Sequence, residues 1–420
     1  MKPGLSAVAL AVALAFGSPL WAAESSVEQT GNDNEATVLQ QAEIDGTGTA
    51  SVTQNGDLNT AAVTQSVYNG PLTATVHQTG SGNDATVLQR NIRNGSSSIT
   101  QNGAGNVAST DQAWLINSSA SISQTGDGND ASIRQLPPVA IGQDPRTDFS
   151  SGVITQVGND NNAAINQIGA STAGSAGNGV AATISQVGGA LRNSATVNQN
   201  PDSPRSQATI TQHEGAHDNS ATVNQTGADQ VATVSQGFDS FFTSLLSSVL
   251  VNQTGHDQTA SVVQDSSRNS SVTVGQAGDG HSATVKQIAI DSSIGVTQEG
   301  SLNIASVTQN FVIGASALVH QNGSGNLSSV VQDSFNGNGL SAQTTQTGSA
   351  NEAGVLQGGE WNDAGITQTG SNHVATISQS GTGTSASPNV ATILQDGTGH
   401  LASIVQAGGA GNHASVTQLP

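Results

Sequence analysis

Glutamine recurs in pairs, mostly eleven residues apart, along almost the whole of this 420-residue chain, and the residue two positions before it is nearly always Val or Ile. Between Ser119 and Gln135 the unit reads SASISQTGDGNDASIRQ. Ala120, Ile122 and Gln124 share one face at a period of two, and Ala131, Ile133 and Gln135 repeat it after TGDGND. That is the signature of strand, tight turn and strand in a hairpin-like unit. Ser119, Ser121, Ser123, Ser132 and Arg134 fall on the opposite face, where water solvates them. A single such unit buries too little to be stable, so it must stack on copies of itself.

The copies follow in order. Gln29/Gln40, Gln54/Gln65, Gln78/Gln89, Gln101/Gln112 and Gln124/Gln135 are paired at the same spacing, with Asn34, Asn59, Asn83, Asn106 and Asn129 in the turns. Gln156/Gln167 continues the series, and Gln186/Gln199 and Gln212/Gln225 carry two extra residues between their members. It runs on from Gln253/Gln264 to Gln395, Gln406 and Gln418. Two strands per coil of about 22 to 25 residues predict an all-β fold, a two-sheeted β-solenoid with equivalent residues lying above one another. Buried amides are costly unless bonded, yet each can both donate to and accept from the residue one coil away. Gln29, Gln40, Gln54, Gln65, Gln78, Gln89, Gln101, Gln124 and Gln135, with Asn59, Asn83, Asn106 and Asn129, are therefore expected to form inward ladders that fix the register.

Composition excludes the alternatives. With 3% aromatic residues, 9% charged residues, 50 Gly and one Met, a conventional core of large side chains cannot be built. Disorder does not account for a β-branched residue at one fixed offset throughout.

Two stretches break the pattern. Residues 136–150, LPPVAIGQDPRTDFS, contain three prolines and predict a loop. In 237–250, Phe238, Phe241, Phe242, Leu245, Leu246 and Val249 recur at helical spacing behind Asp239. This predicts a short amphipathic helix outside the solenoid, with Phe238, Phe241, Phe242, Leu245 and Leu246 as a possible partner contact.

Residues 1–23 combine Lys2, an apolar run from Leu5 to Phe16 and small residues ending in Ala22-Ala23, the pattern of a secretory signal peptide. The solenoid is then expected over 24–420, and no later run is long and apolar enough to span a bilayer. The formal net charge of −20 argues against nucleic acid or anionic lipid as a direct partner. No cysteine is present, so neither a disulfide nor a thiolate-bound metal holds the fold. Stacking is also expected to set turn carboxylates such as Asp84 and Asp127 near like charges, so that acid would favour assembly.

No enzymatic activity is expected, and no catalytic, cofactor or metal site. His213-Glu214-Gly215-Ala216-His217 matches H-E-x-x-H, but it sits in a turn between strands and not on a helix. Outward Thr209, Thr211, Thr222 and Thr233 leave an ice-binding or ligand-binding solenoid as an alternative, beside a monomeric secreted adhesin of the same fold.

The pattern Ser-x5-Gln-x-Gly-x2-Asn-x-Ala-x3-Gln resembles that of curlin repeats, the subunits of curli fibres. Ser118, Gln124, Gly126, Asn129, Ala131 and Gln135 match it in full, and Ser150, Ser247, Ser270 and Ser292 occupy the leading serine position. The resemblance implies a secreted functional amyloid subunit that forms extracellular fibres at the cell surface for adhesion and biofilm formation. It further implies a nucleator subunit and an outer-membrane secretion pore as partners, besides copies of the chain itself.

Overall fold

The computed structural model describes residues 8–13, 22–42, 46–67, 70–136, 147–148, 150–168, 179–200, 204–213, 215–237 and 244–420. Among them there is no helix. The chain divides into two units, Met1–Glu214 with Asn224–Asp229, and Gly215–Val223 with Gln230–Pro420. Each is a β-solenoid of two parallel sheets.

In the first unit one sheet runs coil by coil from Ala22–Thr30 through Gly46–Asp57, Gly70–Ser81, Gly95–Ala104, Ser119–Thr125, Ser151–Asn159 and Ala181–Leu191 to Gln207–Gln212. The facing sheet runs from Val8–Ala13 and Glu35–Ala42 through Thr60–Val67, Asp84–Ile92, Val107–Ala113, Asp130–Leu136 and Asn162–Ile168 to Ser194–Gln199. In the second unit one sheet leads from Val231–Gly237 to Leu401–Gln406, and the other from Ser248–His256 to His413–Gln418.

The repeat is an arch and not a hairpin. Ser119–Thr125 pairs with the strands one coil before and after it, and Asp130–Leu136 does the same in the facing sheet. Parallel pairing is what brings like onto like: Ala50, Val52 and Gln54 lie against Ala74, Val76 and Gln78. An antiparallel hairpin would set Ala against Gln and leave the amides without amide partners. Along each strand exposure alternates, so Ala120, Ile122 and Gln124 are buried while Ser119, Ser121 and Ser123 face outward. The dry layer is thin, and its largest fully buried side chains are Leu and Ile. Each contributes roughly 1.5–3 kcal/mol on burial, so stability comes from repetition.

The tight turns need glycine at one position. Gly126 has φ +114°, and a Cβ there would lie 2.0 Å from the Gly158 carbonyl oxygen of the next coil. Both the backbone conformation and the close approach of successive coils exclude a side chain. The extra residues of the Gln186/Gln199 repeat are taken up as a bulge, where the pairing register shifts between Gln156 and Gly158.

At the first break, residues 137–146 and 149 lie outside the described residues, and Thr147–Asp148 pairs in parallel with Leu115–Ile116. At the second break the helix expected over 237–250 is not formed in its described part. Ser244–Leu245 and Ser248–His256 are strands, and Val249 is buried in the solenoid. Here Val249, Val251 and Gln253 continue the period of two, and tertiary stacking overrides the helical spacing from Ser244 onward. Phe238, Phe241 and Phe242 lie outside the described residues.

The inward Val/Ile position is Thr at Thr110 and Thr344, and each exception is matched by another. Ser97, where Ala usually stands, meets Thr110 with oxygens 2.6 Å apart, and Ser328 meets Thr344 at 2.7 Å. All four side chains are buried, so each hydroxyl depends on its partner in the same coil. Replacing Thr110 with Val alone should cost about 1–3 kcal/mol by orphaning the Ser97 hydroxyl. The double replacement S97A/T110V should recover most of that loss, and a double-mutant cycle of urea unfolding midpoints reads the coupling directly.

Candidate functional site

The feature that sets this chain apart from an ordinary β protein is the continuous buried column of amides. Along one sheet of the first unit Nε2 of each glutamine donates to Oε1 one coil further on: Gln29 to Gln54, Gln54 to Gln78, Gln78 to Gln101, Gln101 to Gln124, and Gln124 to Gln156, at 2.6–2.9 Å. Along the facing sheet Gln40 donates to Gln65, Gln65 to Gln89, Gln89 to Gln112 and Gln112 to Gln135, at 2.7–2.9 Å. The second unit carries the same two columns, ending at Gln379 to Gln406 and Gln395 to Gln418. The second Nε2 hydrogen is used as well: that of Gln124 reaches the carbonyls of Val107 and Asn129 at 2.9 and 3.0 Å.

The turn asparagines form a third column in the first unit, with the opposite sense. Oδ1 of Asn59 accepts both the backbone N–H and Nδ2 of Asn83, and Asn106 and Asn129 repeat this at 3.0–3.1 Å. Nδ2 of Asn59 also donates to the Gly80 carbonyl at 2.9 Å. With the bond from its Nδ2 to Asn34 Oδ1, one side chain thus satisfies four backbone or amide groups of the corner.

Histidine replaces asparagine at some corners of the second unit, and the spacing carries the signal, since His281, His373 and His400 each stand five residues after a column glutamine, as the turn asparagines do. His281, His373 and His400 stand where neighbouring coils place Asn303, Asn326 and Asn351. His281 with its hydrogen on Nε2 donates to the Ala277 carbonyl at 3.1 Å and accepts the Asn303 N–H on Nδ1 at 3.3 Å. Neutral imidazole therefore mimics the amide: one ring nitrogen donates within the coil and the other accepts from the next. The rings of His373 and His400 stack 5.1 Å apart and 5° from coplanar. Burial pushes the His281 pKa below its usual value, against the opposing pull of the Ala277 and Gly300 backbone and of Asp279.

The remaining candidates are placed as follows. Ala216–His217 is a short strand paired in parallel with Ser244–Leu245, so the H-E-x-x-H stretch does not form the helix a zinc protease needs. Glu214 lies outside the described residues, and no metal-binding cluster occurs among those described. The outward column through Thr209 reads Ser51, Thr75, Ser98, Ser121, Val153, Thr183 and Thr209, a mixed surface and not a threonine array. Of the possible partner contact, Leu246 is 64% exposed and Leu245 half-buried.

The expected stacking of turn carboxylates is not found at Asp84, whereas at Asp127 the next coil brings Asp160 close, its N–H donating to the Asp127 carbonyl at 2.9 Å. Asp84 lies between Thr60 and Val107, while Asp127 accepts the Ala104 N–H on one side and faces Asn159 on the other. Asp57 leads through Ser81 and Ala104 to Asp127, three coils away, or roughly 14 Å at the usual strand spacing. That exceeds the screening length of about 10 Å in 0.1 M salt, so repulsion between them is weak.

Two outcomes follow from the columns. Gln124→Leu removes the donor to Gln156 Oε1 and the acceptor of Gln101 Nε2, and should cost about 1–3 kcal/mol for each group orphaned. Outward Ser123→Thr should stay within about 0.5 kcal/mol in the same urea titration. The depressed His281 pKa means that, as pH falls below about 6.5, the unfolded chain takes up a proton before the folded chain does. Stability should therefore drop with acid until the folded pKa is passed, and His281→Asn should flatten that part of the profile relative to the parent.

The model of the curlin associated repeat matches residues 268–300, 337–370, 348–381 and 389–419. No curated protein matches the chain. The matched segments all lie in the second unit, and the columns through Gln276, Gln298, Gln346, Gln368, Gln395 and Gln418 run through them. The C-terminal part of the chain therefore carries curlin associated repeats.

Proposed function

We propose that this chain is a structural subunit of an extracellular curli-type amyloid fibre, in which copies add end to end and continue the amide columns. The observation that carries the reading is the pair of amide columns, which keep one register up to the outermost described strands. Among the described residues Leu401–Gln406 pairs only with Val374–Gln379, and His413–Gln418 only with Asn389–Thr398. These strands end in Gln406 and Gln418, whose Oε1 atoms accept from Gln379 and Gln395 at 2.7 and 2.8 Å and so carry both columns to the last described strands. Unpaired parallel edges with a built-in register are templates for a further strand.

In this reading residues 1–23 are a secretory leader, 24–420 is the exported solenoid, and the fibre serves adhesion and biofilm formation at the cell surface. A nucleator subunit and an outer-membrane pore are the expected partners, by likeness to the curlin family. Phe238, Phe241, Phe242, Leu245 and Leu246 supply an apolar contact for a surface or partner. The chain is a building element and not an enzyme.

The test is electron microscopy and thioflavin-T fluorescence of the purified chain 24–420 over time. Fibres with a meridional spacing of about 4.7–4.8 Å are expected. A chain that sediments as a monomer at every concentration, with full β content, would instead be a solenoid adhesin.

A further inference from the structure

The first coil is closed on one sheet by a strand that a processed chain would lack. Val8–Ala13 pairs in parallel with Glu35–Ala42, from Val8 against Glu35 to Ala13 against Gln40. The other edge of Glu35–Ala42 is occupied by Thr60–Val67, so this strand has two neighbours only while 8–13 is present. In the facing sheet Ala22–Thr30 has Gly46–Asp57 as its single described neighbour. There Gln29 Oε1 is buried without a hydrogen-bond partner, although every later glutamine of that column accepts from the coil before it. An orphaned buried acceptor at the end of a column marks a missing donor.

The donor that fits is on the last coil of another copy. Set in the register that all coils share, His413–Gln418 would lie on Glu35–Gln40 with Ala414 over Ala36, Val416 over Val38 and Gln418 over Gln40. Leu401–Gln406 would then lie on Glu24–Gln29, and Gln406 Nε2 would reach Gln29 Oε1. Charge agrees with the match. The first coil carries Glu24, Glu28 and Glu35, whereas LASIVQ and HASVTQ contain no carboxylate and set His413 against Glu35. In a chain of net charge −20 that seam avoids like charges.

We propose that Val8–Ala13 is a built-in cap: it holds the edge of Glu35–Ala42 in the register that His413–Gln418 of a second copy would use, so that copies cannot add there until the leader is removed. The proposal rests on the fibre reading above. The cap is a placeholder and not a continuation of the fibre. Where the column requires an amide, the leader has Ala13, so it blocks the edge without extending the ladder. Removing the leader would open that strand edge beside the acceptor Gln29 Oε1.

The test compares three chains on sheared seeds grown from 24–420: the processed chain 24–420, the full chain 1–420, and the full chain with Leu10→Pro, which deletes a backbone donor inside the cap strand. Elongation by the full chain should be slower by about tenfold or more than by the processed chain, because an added copy presents a capped end. Leu10→Pro should restore the rate to about that of the processed chain. Hydrogen exchange on the monomers gives a readout that does not depend on assembly. The amides of Ala36, Val38 and Gln40, which face the cap strand while the Glu35 N–H bonds to the following coil, should be protected in the full chain and exchange faster in both others. Equal elongation by full and processed chains, or equal exchange at those amides, would overturn the cap while leaving the fibre reading intact. Failure of 24–420 to form any fibre would overturn both.

Discussion

A primary amide buried in an apolar layer has one inexpensive solution in this chain, which is to meet another amide one coil away. Everything else follows from that constraint. Parallel pairing is required because only parallel coils bring Gln onto Gln, and register is fixed because a slip by one residue would bury Thr and Asp in place of Val and Gln. The thin Ala/Val/Ile layer supplies the general driving force for collapse. The amide columns decide which collapsed arrangement is unique.

The period of two and the eleven-residue spacing were enough to read strands, buried faces and the two-sheeted stack. They were enough because backbone geometry converts spacing into direction without help from the rest of the fold. Three features were not legible, each for a physical reason. Spacing within one repeat does not distinguish an arch from a hairpin, since both place the same residues on the same faces. The helical spacing of Phe238 to Leu246 is a local signal, and stacking on neighbouring coils overrides it at Ser244–Leu245 and Ser248–His256. The stacking of turn charges varies from coil to coil because the turn positions carry different residues, so neutral Ser81 and Ala104 separate Asp57 from Asp127 while Asp160 lies one coil from Asp127.

The histidines of the second unit show how much variation a column accepts. His281, His373 and His400 differ from asparagine in size, yet the rings of His281 and His373 each provide a donor and an acceptor at the positions the corner requires, and His400 provides the donor. What the column selects is a hydrogen-bonding pattern and not a residue type. At His281, whose pKa is lowered by burial, the exchange makes acid a destabilising influence, in contrast to the neutral amides, whose bonds do not depend on pH.

The Ser97–Thr110 and Ser328–Thr344 pairs carry a consequence for how such a chain changes length. In each pair both partners belong to the same coil, so the polar exception is settled internally and the surfaces offered to the coils on either side remain ordinary. A coil of this kind can sit beside any other. Duplication or loss of a whole coil in the gene would leave no hydroxyl or amide stranded, whereas loss of half a coil would strand several. Selection can therefore adjust the number of coils almost freely, while the content of any single coil is held by its own internal partners.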